Sequence, residues 1–165
     1  MTHAPGGYVC PFCLLAGGIV GEQVWSRPAD LIYRDDLVLA FVAAGPFPGA
    51  FGANYPGHVL IVPLAHIENI YDLPDHLAAR IHALARRMAL ALKAIRDCQG
   101  TSTRQHNEPA GNQDVWHFHL HVFPRWQGGG LYSARRVRLP DEVRATQAAR
   151  LRLALLDVLR QLSLV

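Results

Sequence analysis

Trp116-His117-Phe118-His119-Leu120-His121-Val122-Phe123-Pro124-Arg125 carries a histidine at alternate positions. In an extended strand successive side chains point to opposite faces. Trp116, Phe118, Leu120 and Val122 are therefore expected in a core, while the three imidazoles share the other face at a spacing of roughly 6.6 Å. This reading predicts a strand over 115–123. Near neutral pH imidazole serves as metal ligand, proton carrier or nucleophile. The face thus admits an open trihistidine metal centre, a closed structural metal site, or a nucleophilic histidine whose neighbours orient it and act as acid. The residues alone leave all three open.

Further along the chain, Leu77, Ile81, Leu84, Met88, Leu92 and Ile95 recur at steps of three and four behind Pro74 and Asp75. That period predicts a long helix closing at Gly100. Pro140, the acids Asp141 and Glu142, and a stripe through Leu151, Leu155, Leu159 and Leu162 predict a second helix covering the C-terminal part of the fold. Residues 31–33 and 37–43 flank Arg34, Asp35 and Asp36 as a short hairpin. Residues 59–62 form a run stopped by Pro63, and 101–105 read as a further strand. Strands on short connections with only two long helices predict an α+β fold built on an antiparallel sheet. The stretch 44–57 reads as a loop with Phe47, Phe51 and Tyr55, whose rings either fold back onto the core or line a pocket for a flat ligand.

Half of the 165 residues are hydrophobic and 18% are charged, which excludes a disordered, collagen-like or coiled-coil chain and predicts a single domain over 1–165. No apolar run approaches the roughly 18 residues of a membrane span. The N-terminus lacks the basic-then-apolar order of a secretory signal. A cytoplasmic protein with no membrane partner is expected. The net charge of +3 is spread over separated arginine groups, which predicts no extended nucleic-acid partner. Three cysteines cannot all pair. Cys10 and Cys13 form a C-x-x-C that in a reducing compartment reads as a metal clamp or redox motif, and Cys98 reads as packing. His3 is expected to be disordered, and His76, His82 and His106 to be surface or satisfied core residues.

Gly57-His58-Val59-Leu60-Ile61-Val62-Pro63, then His66, the loop from Asn107 to Gln113, and the run from His117 to Arg125 together resemble the histidine triad (HIT) superfamily, whose signature alternates three histidines with apolar residues. The resemblance falls within 8–125 and leaves 126–165 as a C-terminal loop and helix. It implies a HIT-like antiparallel sheet with two main helices, a homodimer, and attack at the α-phosphorus of a nucleotide through a nucleotidyl-histidine, with release of nucleoside monophosphate. Carried over by residue, His119 is the nucleophile, His121 contacts the phosphate and helps protonate the leaving group, and His58 completes the site. Gln113 matches a glutamine at the scissile bridge, and Asn107 an asparagine near the phosphate. Cys10, Cys13, His66 and His117 match the ligands of a structural zinc found in some members; no organic cofactor is implied.

Two departures stand out. Asn112-Gln113-Asp114 replaces a hydroxyl residue by an acid. Aimed at the leaving group, Asp114 would oppose a polyphosphate and favour an amine; alternatively it caps the loop or orients a histidine. Ala43-Ala44-Gly45 stands where many relatives carry a ribose-holding acid or amide, a role Asn54 could take from the inserted loop. The implied substrate is a purine nucleotide, foremost an adenosine phosphoramidate, with dinucleoside polyphosphates as the rival. A zinc-dependent hydrolase using His117, His119 and His121 as ligands, and a zinc-stabilised nucleotide-binding or adaptor module without turnover, are the readings from other classes.

Overall fold

The computed structural model describes residues 2–45, 57–128 and 138–163. Asn54 and the loop aromatics Phe47, Phe51 and Tyr55 lie outside the described residues. Five antiparallel strands form one sheet: β1 (Leu31–Arg34), β2 (Val38–Val42), β3 (Val59–Pro63), β4 (Gly100–Gln105) and β5 (Leu120–Arg125), in the order β1-β2-β3-β5-β4. A short helix α1 (Pro11–Ala16) precedes them, and two long helices follow β3 and β5 respectively, α2 (Asp75–Arg96) and α3 (Asp141–Ser163). This is the expected α+β architecture.

The central strands explain why their sequences are apolar without interruption. Every residue of β2 and β3 is buried, because both faces of the sheet are covered. Val38, Ala40, Val42, Val59, Ile61, Leu120 and Val122 point into a core with α2 and α3. Leu39, Phe41, Leu60 and Val62 point the other way, onto Cys10, Phe12 and Leu15 of the N-terminal segment. The period of two therefore sorts residues between two cores.

The helix over 75–96 stops before Gly100. Asp97 takes the left-handed conformation (φ 48°), which a short polar side chain tolerates, and the Lys93 ammonium donates to the Cys98 carbonyl at 2.7 Å. Gly100 then opens β4. Cys98 is buried, as a packing residue would be. The helix α3 lies beside α2 and packs on β1 and β2, with Leu151 and Leu155 buried.

The expected strand over 115–123 is shorter at its start and longer at its end. The Phe118 N–H donates to the Ile67 carbonyl (2.6 Å) and the His117 N–H to that of Val115 (2.8 Å), so 115–119 approach the sheet as a bend. Trp116 consequently leaves the core. It is half-buried, its ring stacked near His3 at 6.1 Å between centroids. The backbone N–H of His3 donates to the Glu68 carboxylate at 2.6 Å. No helix among the described residues is long and apolar enough to cross a membrane.

Candidate active site and metal centre

His58 stands at the entrance to β3, where Gly57 turns the chain. Gly57 has φ 92°, and a β-carbon there would meet Leu92 Cδ2 at 2.8 Å, so only glycine fits this close approach to α2. The Gly57 N–H is fixed by the Gln147 side chain of α3 at 2.9 Å. The Ala43 N–H donates to the His58 carbonyl at 2.9 Å. On β5, His121 lies opposite Leu60 of β3 and Arg104 of β4. This register brings His58 Nε2 to 2.9 Å from His121 Nδ1, one proton being shared between the two rings.

His119 is oriented by the backbone. Its Nδ1 lies 2.7 Å from the His117 carbonyl; since a carbonyl only accepts, Nδ1 carries the proton and the lone pair of the neutral ring is on Nε2. Its ring packs edge-on against Phe12 at 5.4 Å and against His121 at 4.9 Å. His58, His119, His121 and Asp114 line one cavity of about 440 Å³ together with Phe12, Val24, Trp25, Ala43, Ala44, Leu60 and Arg138. Its wall is largely apolar and its imidazoles converge at one place, the composition of a site for a small organic ligand.

Two residues matched to the resemblance serve the loop beside this cavity. The buried Gln113 amide donates to the Glu68 carbonyl (2.6 Å) and the Val115 carbonyl (3.1 Å), and accepts from the Glu108 N–H (2.8 Å). Asn107 accepts from the Ile70 N–H at 2.8 Å and exchanges side-chain bonds with Gln105. Neither is among the described residues that line the cavity.

His117 is turned the opposite way from His119. Its Nε2 donates to the Pro63 carbonyl at 2.9 Å. Its Nδ1 lone pair therefore faces Cys10 Sγ at 3.3 Å and Cys13 Sγ at 3.5 Å. His66 Nδ1 lies 3.3 Å from Cys13 Sγ, and all four donor atoms fall within 4.8 Å of one another. Burial is the largest cause pushing the His117 pKa down to about 4, which keeps the ring neutral. Burial, followed by the adjacent Cys10, pushes the Cys13 thiol up to about 12. Two sulfurs and two lone-pair nitrogens at these separations fit a tetrahedral ion with bonds of roughly 2.0–2.3 Å, and a divalent charge would offset the cost of ionising both thiols. His119 and His121 are outside this cluster, the one such group among the described residues.

The sequence reading missed Phe12, Trp25 and Arg138 as lining residues of the cavity, whereas His106 is the satisfied core residue it was expected to be. His106 is buried, its ring 5.8 Å from that of His121 and nearly perpendicular to it, with Nδ1 against the Gly111 carbonyl. It directly follows β4, the strand beside β5. Phe12 was marked by its position between the two cysteines, whereas nothing local marked Trp25 or Arg138.

Comparison with known proteins agrees with this geometry. A family profile described as "HIT domain" matches residues 26–128. An uncharacterized HIT-like protein of Mycobacterium tuberculosis is 32% identical over 155 residues, 92% of this chain and 98% of that protein. "Protein hit" of Bacillus subtilis is 30% identical over 125 residues, 76% and 77% of the two chains. Among solved structures, a Zn-bound histidine triad family protein from Mycobacterium smegmatis superposes with a TM-score of 0.72 at 29% identity, covering 90% of this chain and 94% of that one.

Proposed function

Given that the chain belongs to the HIT-domain family, we propose that it is a nucleotide hydrolase or nucleotidyl transferase acting at the α-phosphorus and releasing nucleoside monophosphate, with adenosine phosphoramidates as preferred substrates. The observation that carries this reading is the fixed tautomer of His119, whose Nδ1 is held by a backbone carbonyl while its ring lines an apolar cavity. In the first half-reaction His119 Nε2 bonds to phosphorus and the bond from phosphorus to the leaving nitrogen breaks. His121, its Nδ1 held by His58, enters as the imidazolium and delivers its Nε2 proton to the departing amine. Water then attacks phosphorus, the bond to Nε2 breaks, and the proton released by water returns to His121. Splitting one displacement into two through a covalent intermediate is what a well-oriented imidazole contributes.

Asp114 supports the choice of leaving group, since it is the single carboxylate among the described lining residues. A nearby negative charge disfavours a departing polyphosphate and tolerates ammonia or a primary amine. Asn107 and Gln113 complete the reading by shaping the loop that carries Asp114, and Asn54 is the candidate ribose contact.

Cys10, Cys13, His66 and His117 would hold a zinc ion, which when bound supplies a structural cross-link between the N-terminal segment and the approach to β5. The cluster of donors and the zinc-bound Mycobacterium smegmatis relative support this assignment. A cytoplasmic homodimer comprising one domain is part of the same proposal.

The test is release of AMP from adenosine 5′-phosphoramidate by purified protein, with a diadenosine polyphosphate in parallel and His119→Ala as control. Release by the wild type alone, faster from the phosphoramidate, is expected. Faster release from the polyphosphate would overturn the Asp114 assignment. Tight AMP binding without turnover would replace the enzyme by a nucleotide-binding module.

A further inference from the structure

We propose that Trp25 and Arg138 form a clamp that recognises the base of the nucleotide and favours a purine over a pyrimidine. Base selection would then rest with residues flanking the 26–128 segment matched by the family. The inference rests on the nucleotide reading above and deepens it.

Both side chains line the cavity that contains His58, His119 and His121. Trp25 is 55% exposed and Arg138 is 46% exposed, so each reaches solvent and an entering ligand. The Arg138 guanidinium lies 5.6 Å from the centroid of the Trp25 ring. A half-open indole on an apolar wall is a stacking platform for a flat π-system. Arg138 is also the single permanently cationic side chain among the described residues lining the cavity. Its ion pair with Asp141 is loose, at 3.9 Å and exposed on both sides, which leaves the guanidinium able to move from the ring face to the edge of a bound base. A purine offers that edge the N7 acceptor, which a pyrimidine lacks, and a larger surface to the indole.

The fold holds the clamp from beneath. Arg144 of α3 is fully buried and paired with the equally buried Asp30 at 2.9 Å. Its other nitrogens donate to the carbonyl of Trp25 (2.9 Å) and to that of Leu139 (2.5 Å), next to Arg138. The Leu139 N–H in turn donates to the Ala44 carbonyl on the cavity wall at 3.1 Å. One buried side chain thus ties the backbone on both sides of the clamp, and Arg144 is the positioning residue.

Binding of AMP, UMP and ribose 5-phosphate is measured by calorimetry on the wild type, Trp25→Leu, Arg138→Met and Arg144→Lys. The wild type should prefer AMP to UMP by about tenfold, and Trp25→Leu should weaken AMP by about tenfold. Arg138→Met should cost AMP about fivefold. Both variants should bring the AMP to UMP ratio toward unity, leave ribose 5-phosphate unchanged, and melt like the wild type because both side chains are exposed. Arg144→Lys keeps the charge and loses the planar fork, and should lower the ratio as well as the melting temperature; a lowered melting temperature with the ratio intact would remove its positioning role. An AMP preference unchanged in the Trp25 and Arg138 variants, or a parallel loss of ribose 5-phosphate, overturns the clamp. Failure of the wild type to bind AMP overturns the nucleotide reading, and the clamp with it.

Discussion

His117 and His119 are two residues apart and present opposite nitrogens. His117 donates from Nε2 to the Pro63 carbonyl and turns Nδ1 to the cysteines. His119 donates from Nδ1 to the carbonyl of His117 itself and keeps its lone pair on Nε2. The same side chain is thereby turned toward a cluster of thiol and imidazole donors in one case and toward the histidine-lined cavity in the other. What differs is which backbone carbonyl takes the ring proton, that of the distant Pro63 for His117 and that of a residue two positions earlier for His119, and this fixes which nitrogen each ring presents. The arrangement also couples the two regions, since the peptide of one histidine orients the ring of the other.

Separating the two regions by mutation gives the largest expected effect. His119→Ala should lower kcat by about 10³-fold or more while metal content and melting temperature stay those of the wild type; a parallel loss of metal would mean that the two regions are a single site. His58→Gln, which removes the imidazole sharing a proton with His121, should cost about 10²-fold in kcat and flatten the pH–rate profile. A profile identical to the wild type would remove His58 from the proton path.

Crossing to the other region, Cys10→Ser should abolish stoichiometric zinc, lower the melting temperature and reduce activity by about tenfold, acting through the backbone that aims His119. Full activity in a zinc-free variant would show that the coupling is absent. In the metal-free protein the depressed pKa of His117, about 4 against 6.5, gives a definite sign. The folded state binds fewer protons than the unfolded chain across that interval. Stability is therefore highest above pH 6.5 and is lost as pH falls toward 4. Denaturant titrations of metal-free protein across this range check it, and a flat profile contradicts the burial of a neutral ring. The smallest expected change is Asp114→Ser, which should raise the rate on a diadenosine polyphosphate relative to the phosphoramidate by about fivefold; an unchanged ratio returns Asp114 to a loop-capping role.

Much of this protein was legible in one dimension. The helical period from Leu77 to Ile95 marks α2, and the leucine stripe from Leu151 marks α3. The apolar runs at 38–42 and 59–62 mark central strands because covering a sheet on both faces requires them. The alternating histidines and the C-x-x-C announced their chemistry, since imidazole and thiol are costly to bury without a use. Sequence spacing did not determine the start of β5, where Trp116 and Phe118 gave up ladder pairing for long-range bonds to Tyr8 and Ile67. Nor could it show that His3 is held by Glu68.

The sequence by itself determined the element types, because these depend on local periodicity, and its motifs carried the resemblance to the family that the HIT-domain match bears out. Tertiary structure alone decided which nitrogen each histidine presents, that His106 stands beside His121, and that the C-terminal helix brings Arg138 over Trp25. Apart from the local bond of His119 to the His117 carbonyl, those outcomes depend on carbonyls and side chains far apart in sequence, such as the Pro63 carbonyl that takes the His117 proton, and a residue pattern carries no record of which distant carbonyl will accept a given proton.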